Sequence, residues 1–355
     1  MTRVFVRSVL ALVLVLATGL VVWRVLAPAE VLAPATDPYP AAVRRAPGVV
    51  GELAGAPLIV DGRFRVYGLT RQIKADAPVD GKAQYPPRWS FRRWPQRLAG
   101  VVAAGSTVVS RWSDGQIVAV DGRTGRIAWR VDGPPAGGFT DGATAVWAPP
   151  GLAVSGATVL VAADRRVRAL NSATGAVRWA GDCPGSGFAT AGGRVVCGDV
   201  VYDAADGAVV PGWPAGPLTP LGCDVAASSC RGVRDTAGEG WQTTGPDPRR
   251  ARGLDEPGST AVLDLALIPT ADGVVARSAL TGHEMWRGPA GTVLGSTRTA
   301  VYVLTPANDL MGLEPATGEA RLRIPLGVDG RAERWQVTDG YVAVSFPDSV
   351  MLAAI

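Results

Sequence analysis

The sequence predicts an all-β fold, namely a single closed β-propeller of seven or eight four-stranded blades, preceded by one N-terminal transmembrane helix. Three observations lead to this prediction. A motif that contains Thr-Gly and Trp recurs between residues 58 and 355. The 355 residues include 45 Gly and 28 Pro but only 19% charged residues, which is typical of short strands joined by frequent turns rather than of helical bundles. An apolar run follows the first basic residues.

The apolar run covers residues 8–23 and follows two arginines. As a helix it would span about 24 Å, and its flanks bring it near the length that crosses a bilayer. We interpret residues 8–27 as a transmembrane signal anchor with residues 1–7 in the cytoplasm, because basic residues favour that side. The alternative is a signal peptide cleaved after Ala27-Pro28-Ala29, which has the small-x-small pattern of a cleavage site. Both interpretations place the propeller outside the cell membrane of a bacterium, and the arginine-rich composition indicates a high-GC genome.

Residues 28–57 contain six prolines, which neither continue a helix nor donate to a sheet. This composition predicts a semi-rigid, extended linker between the membrane and a propeller that comprises residues 58–355.

The repeat is clear in four places, where a small residue, a polar residue, a glycine and a large apolar residue, tryptophan in three of them, keep a fixed spacing. Weaker copies contain Gly81, Gly207 and Gly238, so that seven turn glycines lie 31 to 50 residues apart. This period suits one four-stranded blade per repeat, as in WD-like proteins. The clear copies contain Ala119, Asp121, Gly125 and Trp129; Ala169, Asn171, Gly175 and Trp179; Ala276, Gly282 and Trp286; and Gly318, after which Leu322 replaces tryptophan.

Each repeated position has a structural role. The glycine can adopt a positive φ in a hairpin turn, and the Asp or Asn four residues earlier can bind the turn backbone. The tryptophan needs a flat seat of small residues on the neighbouring blade and an acceptor for its indole N–H. We therefore predict that these residues build blades and hold no cofactor.

The number of blades depends on the chain ends. Seven turns are visible, and three strands are predicted after Leu322, around residues 335–337, 341–346 and 350–355. A strand at Val49–Leu53 could supply the missing fourth strand and close the ring. Eight blades are therefore favoured over seven.

The pattern Ala-x-Asp-x-x-Thr-Gly-x-x-x-Trp resembles the tryptophan-docking repeat of PQQ-like, or quinoprotein-type, β-propellers over roughly residues 58–355. Some members of that family are dehydrogenases, and others bind no quinone and act as scaffolds, including a lipoprotein of the Gram-negative outer-membrane assembly machinery. A dehydrogenase should offer Glu, Asn and Asp ligands for calcium and often adjacent cysteines. Here no cysteines are adjacent, and the only asparagines, Asn171 and Asn308, lie in or near repeat turns. The resemblance thus favours the scaffold members.

Candidate catalytic residues are scarce. His283 is the only histidine and follows a turn glycine, where an exposed hairpin is predicted, so His-based triads, dyads and metal sites have little basis. We predict no catalytic, cofactor-binding or metal-binding residues and no cofactor.

Four cysteines allow three connectivities in an oxidising compartment. We predict the pairs Cys183–Cys197 and Cys223–Cys230, because each brackets the hairpin between the first two strands of a repeat. Buried free thiols are the alternative.

These predictions describe a monomeric, non-catalytic, extracytoplasmic scaffold that binds a protein or cell-envelope partner through one propeller face and the membrane through its N-terminal helix. Irregular stretches at residues 133–142 and 245–258 are candidate binding loops. Short arginine groups, of which residues 88–93 are the most aromatic, are interpreted as solvated loops, so no nucleic-acid partner is expected. The alternatives are a quinone-dependent (PQQ) oxidoreductase and a small-ligand sensor with a polar tunnel.

Overall fold

The computed structural model describes residues 12–19, 29–82, 85–185, 187–225 and 229–355. Strands dominate this part of the chain, so the predicted all-β class is confirmed. Helix occurs at residues 12–19, at Gly142–Trp147 and in one 3₁₀ turn, Arg252–Leu254. The predicted membrane anchor, residues 8–27, lies mostly outside the described residues. Within those residues, no helix has both the length and the apolar character needed to cross a bilayer.

The strands form seven sheets, built mainly of consecutive antiparallel strands, that resemble propeller blades. The first sheet has the order β1 (Glu30–Ala33), β6 (Trp89–Arg93), β5 (Gln72–Asp76), β4 (Phe64–Leu69) and β3 (Leu58–Val60). The second contains β7 (Leu98–Ala104), β8 (Thr107–Trp112), β9 (Gln116–Asp121) and β10 (Arg126–Asp132). The third contains β11 (Leu152–Ser155), β12 (Thr158–Ala163), β13 (Arg166–Asn171) and β14 (Val177–Asp182).

The fourth sheet is larger and has seven strands. In it, β15 pairs in parallel with β19 through Ala189–Ser229 and Thr190–Cys230, which joins two groups of antiparallel strands. The first group is β15 (Phe188–Thr190), β16 (Arg194–Cys197) and β17 (Val200–Asp203). The second is β18 (Thr219–Asp224), β19 (Ser229–Arg234), β20 (Gly240–Gln242) and β21 (Arg249–Arg250).

Three further four-stranded sheets complete the described strands. The fifth contains β22 (Thr260–Val262), β23 (Leu265–Pro269), β24 (Val274–Ser278) and β25 (Glu284–Gly288). The sixth contains β26 (Thr292–Ser296), β27 (Val301–Leu304), β28 (Asp309–Leu313) and β29 (Ala320–Pro325). The seventh has the order β2 (Gly48–Leu53), β32 (Val350–Ala354), β31 (Tyr341–Ser345) and β30 (Arg334–Val337).

Burial follows the position of a strand in its sheet. The middle strands β31 and β32 are buried at every residue, because the neighbouring sheets cover both of their faces. The fourth strands β10, β14 and β25 are mostly exposed, and each has a single buried residue, which is its tryptophan. The core therefore lies between stacked sheets, and the tryptophans anchor the outer strands to it.

The predicted linker contains two paired strands. β1 pairs with β6, and β2 pairs with β32 and so completes the sheet of the last three strands, as expected for a strand at Val49–Leu53. Between them, the Arg88 guanidinium donates to the carbonyl oxygens of Asp37 and Pro38 at 2.9 Å. The segment therefore differs from the predicted semi-rigid, extended linker, because its two strands belong to sheets and side chains from the sheets bind the proline-rich connection between them.

Both predicted disulfides are present. Cys183 bonds to Cys197 across the β15–β16 hairpin, and Cys223 bonds to Cys230 at directly opposed positions of β18 and β19. No free cysteine occurs in the described chain, so the alternative of free thiols is wrong.

Candidate binding face and its tryptophan-docked scaffold

The repeat turns share one backbone geometry. The turn glycines at 125, 175, 207, 282 and 318 all have positive φ, and each N–H donates to the carbonyl four residues earlier at 2.7–3.0 Å. The preceding polar side chains also bind the turn. Asp121 accepts from the Arg123 N–H at 2.9 Å, and Asn171 accepts from the Ala173 N–H at 2.9 Å. The repeated motif therefore forms a tight, self-bonded hairpin between the third and fourth strands of a sheet.

Tryptophan from one sheet lies on the turn glycine of the next sheet. A Cβ built at Gly175 would lie 2.6 Å from Trp129 Cε3, so only glycine leaves room for the ring. The Trp129 indole donates to the Ser172 carbonyl at 2.9 Å, three residues before the glycine. The same arrangement places Trp179 on Gly207, with its indole bonded to Ala204 O, and Trp286 on Gly318, with its indole bonded to Pro315 O.

The small residues of the motif have a different role. Ala119, Ala169 and Ala276 lie opposite the tryptophan of their own sheet, and one extra residue bulges just before each tryptophan. The sequence analysis predicted that small residues of the neighbouring blade form the surface on which each tryptophan packs. In the structure the turn glycine of the next sheet forms that surface. Trp89, paired with Ala75, also lies on Gly125, although its indole nitrogen has no hydrogen-bond partner among the described residues. The sequence indicated Gly207 as the turn glycine of a weaker copy, and its turn keeps the four-residue spacing from Asp203. The role of Trp89 was harder to recognise, because it follows Gly81 by eight residues instead of four.

Among the residues that the structure describes, no tryptophan packs on Gly282. The 3₁₀ turn after β21 occupies the space that a tryptophan ring fills at the other turn glycines. The Gly253 N–H donates to the Ala279 carbonyl at 2.9 Å, and this carbonyl, three residues before Gly282, is equivalent to the one that accepts from an indole N–H in the other copies. Gly238 lies between β19 and β20, and in the described chain a Cβ at this position would meet no atom within 4 Å, so no tryptophan packs on it. The repeat therefore breaks in the second strand group of the seven-stranded sheet.

The two stretches predicted as binding loops are partly built into the scaffold. In 245–258, Leu254 is fully buried and its carbonyl accepts from Arg234 at 2.7 Å. In 133–142, the Arg111 guanidinium donates to the carbonyls of Pro134 and Pro135 at 3.2 and 3.3 Å, and burial lowers the pKa of Arg111. Sequence reasoning missed these bonds because Gly, Pro and Arg composition alone is typical of exposed loops.

A cavity of about 460 Å³ lies where five sheets converge. Hairpins that follow the first strands of these sheets line it, and a smaller cavity of about 140 Å³ adjoins it, sharing Asp224, Arg231, Ser296 and Val337. The charged lining residues are Asp61, Asp224, Arg231, Arg298 and Asp339. We call the hairpin ends around this cavity the cavity face.

Charges on the cavity face are only partly paired. The Tyr39 hydroxyl, from the predicted linker, donates to Asp61 at 2.9 Å, and burial together with this bond raises the pKa of Tyr39 to about 12. Arg63 lies 3.6 Å from the same carboxylate. In the part of the chain that the structure describes, Arg231 and Arg298 form no salt bridge, so two guanidinium groups remain available to an acidic ligand or partner.

His283, the only histidine in the sequence, is not among the residues that line this cavity. His283 lies in the exposed β24–β25 turn, as predicted, and its carbonyl accepts from the Ser278 N–H at 2.9 Å. Within residues 12–19, 29–82, 85–185, 187–225 and 229–355, no three His, Cys, Asp or Glu side chains are grouped as for a metal ion. The geometry offers hydrogen bonds and ion pairs for binding.

Comparison with known proteins shows that this chain resembles solved structures in fold. No protein-family profile and no curated protein matches the chain. The computationally designed protein Ika8 matches with a TM-score of 0.54 at 18% identity, over 86% of this chain and 99% of Ika8. The C-terminal WD40 domain of Sif2 matches with a TM-score of 0.53 at 10% identity, over 88% of this chain and 99% of that domain.

BamB from Moraxella catarrhalis matches with a TM-score of 0.48 at 16% identity, over 86% of this chain and 99% of BamB. At such identities the likenesses concern architecture alone. Together with the repeated four-stranded sheets, the match to a WD40 domain indicates that this chain is similar in fold to the β-propellers.

Proposed function

We propose that the chain is a membrane-anchored, extracytoplasmic, closed propeller of eight blades that acts as a non-catalytic scaffold. Counting the seven-stranded sheet as two blades, β15–β17 and β18–β21, gives eight. Closure is supported by Gln336 of the last sheet. Its fully buried side chain accepts from the Ile59 N–H of the first sheet at 2.9 Å and donates to the Ile59 carbonyl at 3.4 Å.

The observation that carries the scaffold function is the cavity face. Short hairpins from five sheets meet there, and they present Arg231 and Arg298 without carboxylate partners in the described chain. Such hairpins are held by the sheets behind them, so a partner that binds them loses little conformational entropy in the protein. We infer that the chain, as a monomer, binds a protein or cell-envelope component that carries acidic groups.

Crosslinking in intact cells tests this function. A photocrosslinking amino acid at Arg298 should give a discrete crosslinked product. The same group at Val177, which is 52% exposed on β14, should not. Arg231→Glu should lower the yield at position 298, because it reverses one of the two cationic groups. Equal products at both positions, or none at 298, would contradict binding at the cavity face.

A small-ligand sensor is the second candidate. The cavity of about 460 Å³ is in the size range of ligand pockets, roughly 300–1,000 Å³, and it has charged groups of both signs. Screening the purified full chain with small anions and sugar acids by calorimetry tests this function. A saturable ligand whose binding is lost in Arg298→Glu would favour the sensor, whereas reproducible turnover with quinone and calcium would overturn the non-catalytic proposal.

A further inference from the structure

The chain leaves the predicted membrane anchor at one corner of the first sheet. Residue 29 follows the predicted anchor, 8–27, by two positions, which span at most roughly 7 Å. The Ala29 carbonyl accepts from the Trp94 N–H at 2.7 Å, and β1 begins at the next residue. If residues 8–27 cross the membrane, the propeller therefore has no spacer, and this corner must lie at the bilayer surface.

Two backbone hydrogen bonds and one from the Arg71 side chain join the segments at this corner. The Leu98 N–H donates to Thr70 O at 2.9 Å, the Arg93 N–H donates to Arg71 O at 3.0 Å, and Arg71 Nε donates to Pro95 O at 3.3 Å. We call residues 69–71 and 92–97, together with Ala29 and Val31, the N-terminal corner.

Large apolar side chains are exposed at the N-terminal corner. Leu69 is 41% exposed, Trp94 38% and Val31 37%. Trp is enriched where membrane meets water, because its ring is apolar and its N–H is polar. A surface of this kind suits the headgroup region of a bilayer.

The N-terminal corner also carries excess positive charge. The nearby acidic groups are already neutralised, since Glu30 pairs with Arg93 and Arg130, and Asp114 pairs with Arg93. In the described chain Arg71, Arg92 and Arg97 form no salt bridge. Three cations beside exposed apolar groups fit the anionic lipids of a membrane surface.

We propose that the N-terminal corner docks on the anionic lipid surface of the membrane, which fixes the orientation of the propeller. This inference rests on the proposed membrane anchor. The cavity face lies at the other end of the first sheet, because β4 runs from the hairpin at 61–63 to the hairpin at 69–71. Six strand residues separate them by roughly 20 Å, so docking directs the cavity face away from the membrane.

Fluorescent labelling of the full chain tests the docking. All four native cysteines are in disulfides, so a cysteine introduced as Thr70→Cys can be labelled selectively with an NBD fluorophore. In vesicles of phosphatidylcholine and phosphatidylglycerol, spin-labelled lipid headgroups should quench this label. They should not quench a control label from Thr299→Cys, in the hairpin beside the cavity.

Charge variants test whether the N-terminal corner binds anionic lipid. Arg92→Glu should shift the ratio of docked to undocked propeller by roughly fivefold or more, since each arginine near an anionic surface contributes about that factor. Arg126→Glu, an exposed arginine on β10, should leave quenching at position 70 unchanged. Vesicles of phosphatidylcholine alone should also weaken the quenching, and an undiminished signal there would overturn docking on anionic lipid.

Vesicle flotation distinguishes failure of the docking from failure of the membrane anchor. If the chain floats with vesicles but labels at 70 and 299 are quenched equally, the docking is overturned and the anchor stands. If the chain does not float with vesicles, the anchor itself is overturned and the docking with it.

Discussion

At the scale of single residues, the glycines of the repeat have two separate functions. Gly175 has φ +73°, and it also provides the surface on which Trp129 rests. Gly156, in the β11–β12 hairpin of the same sheet, has φ +56° but nothing within 4 Å of a built Cβ. The pair separates the cost of a left-handed backbone from the cost of displacing the tryptophan.

We expect Gly175→Ala to destabilise the protein more than Gly156→Ala. Both variants incur about 1–2 kcal/mol for a left-handed alanine, and Gly175→Ala adds about 1–3 kcal/mol because the ring and the outer strand must shift. Urea unfolding of both variants measures the difference. Equal losses would show that Trp129 does not depend on the glycine seat.

Tyr39 gives a prediction for alkaline pH. Its pKa is raised to about 12 by burial and by the bond to Asp61, so the folded state favours the protonated phenol. The resulting stabilisation is complete below the ordinary tyrosine pKa of about 10 and is lost as pH rises toward 12. The wild-type chain should therefore lose more stability over this range than Tyr39→Phe, measured by urea midpoints. Tyr85→Phe, which alters a fully exposed ring, should follow the wild type.

At the scale of elements, the segment after β21 replaces a docked tryptophan. Arg250 pairs with Asp255, which raises the pKa of Arg250 and lowers that of Asp255, and the Gly253 N–H binds the next sheet. Leu254 fills the space beneath and is fully buried. The segment is therefore a structural element, although its composition resembles an exposed loop.

Leu254→Ala should cost about 2–5 kcal/mol of unfolding free energy, as for a leucine deleted from a packed core. Leu280→Ala, at a leucine that is 42% exposed on the neighbouring sheet, should change the stability by only about 0.5 kcal/mol. Chemical denaturation checks both values. If Leu254→Ala changed the unfolding free energy only slightly, residues 245–258 would instead be an exposed loop, as the sequence indicated.

At the scale of the whole molecule, the proposed ring depends on contacts between the two chain ends. β2 completes the sheet of β30–β32, and the Gln336 side chain joins that sheet to the first one. In the proposed ring the first and last blades contact each other, so neither should unfold independently, and we expect one cooperative unfolding transition.

Gln336→Met tests that junction, because it keeps the size of the side chain and removes both hydrogen bonds to Ile59. We expect a loss of about 1–3 kcal/mol, the cost of an unsatisfied buried polar group, and faster hydrogen exchange of the Ile59 amide. Gln96→Met, at a partly exposed glutamine, should behave as wild type. Unchanged exchange at Ile59 would contradict a ring closed at this junction.

The sequence by itself determined the features that depend on neighbouring residues. The Thr-Gly turns, the strands around them and the two disulfides follow from turn chemistry and from hairpins that bring nearby residues together. The strand at Val49–Leu53 was also predictable, because the last three strands lacked a fourth.

Only the tertiary structure decided which distant groups meet. Trp129 rests on Gly175 rather than on an alanine, and β1 takes an edge of the first sheet although its segment is rich in proline. The cavity face likewise assembles from hairpins of five sheets. Spacing along the chain cannot reveal such contacts, because they depend on how whole sheets stack and which backbone edges remain unpaired after the local hairpins have formed.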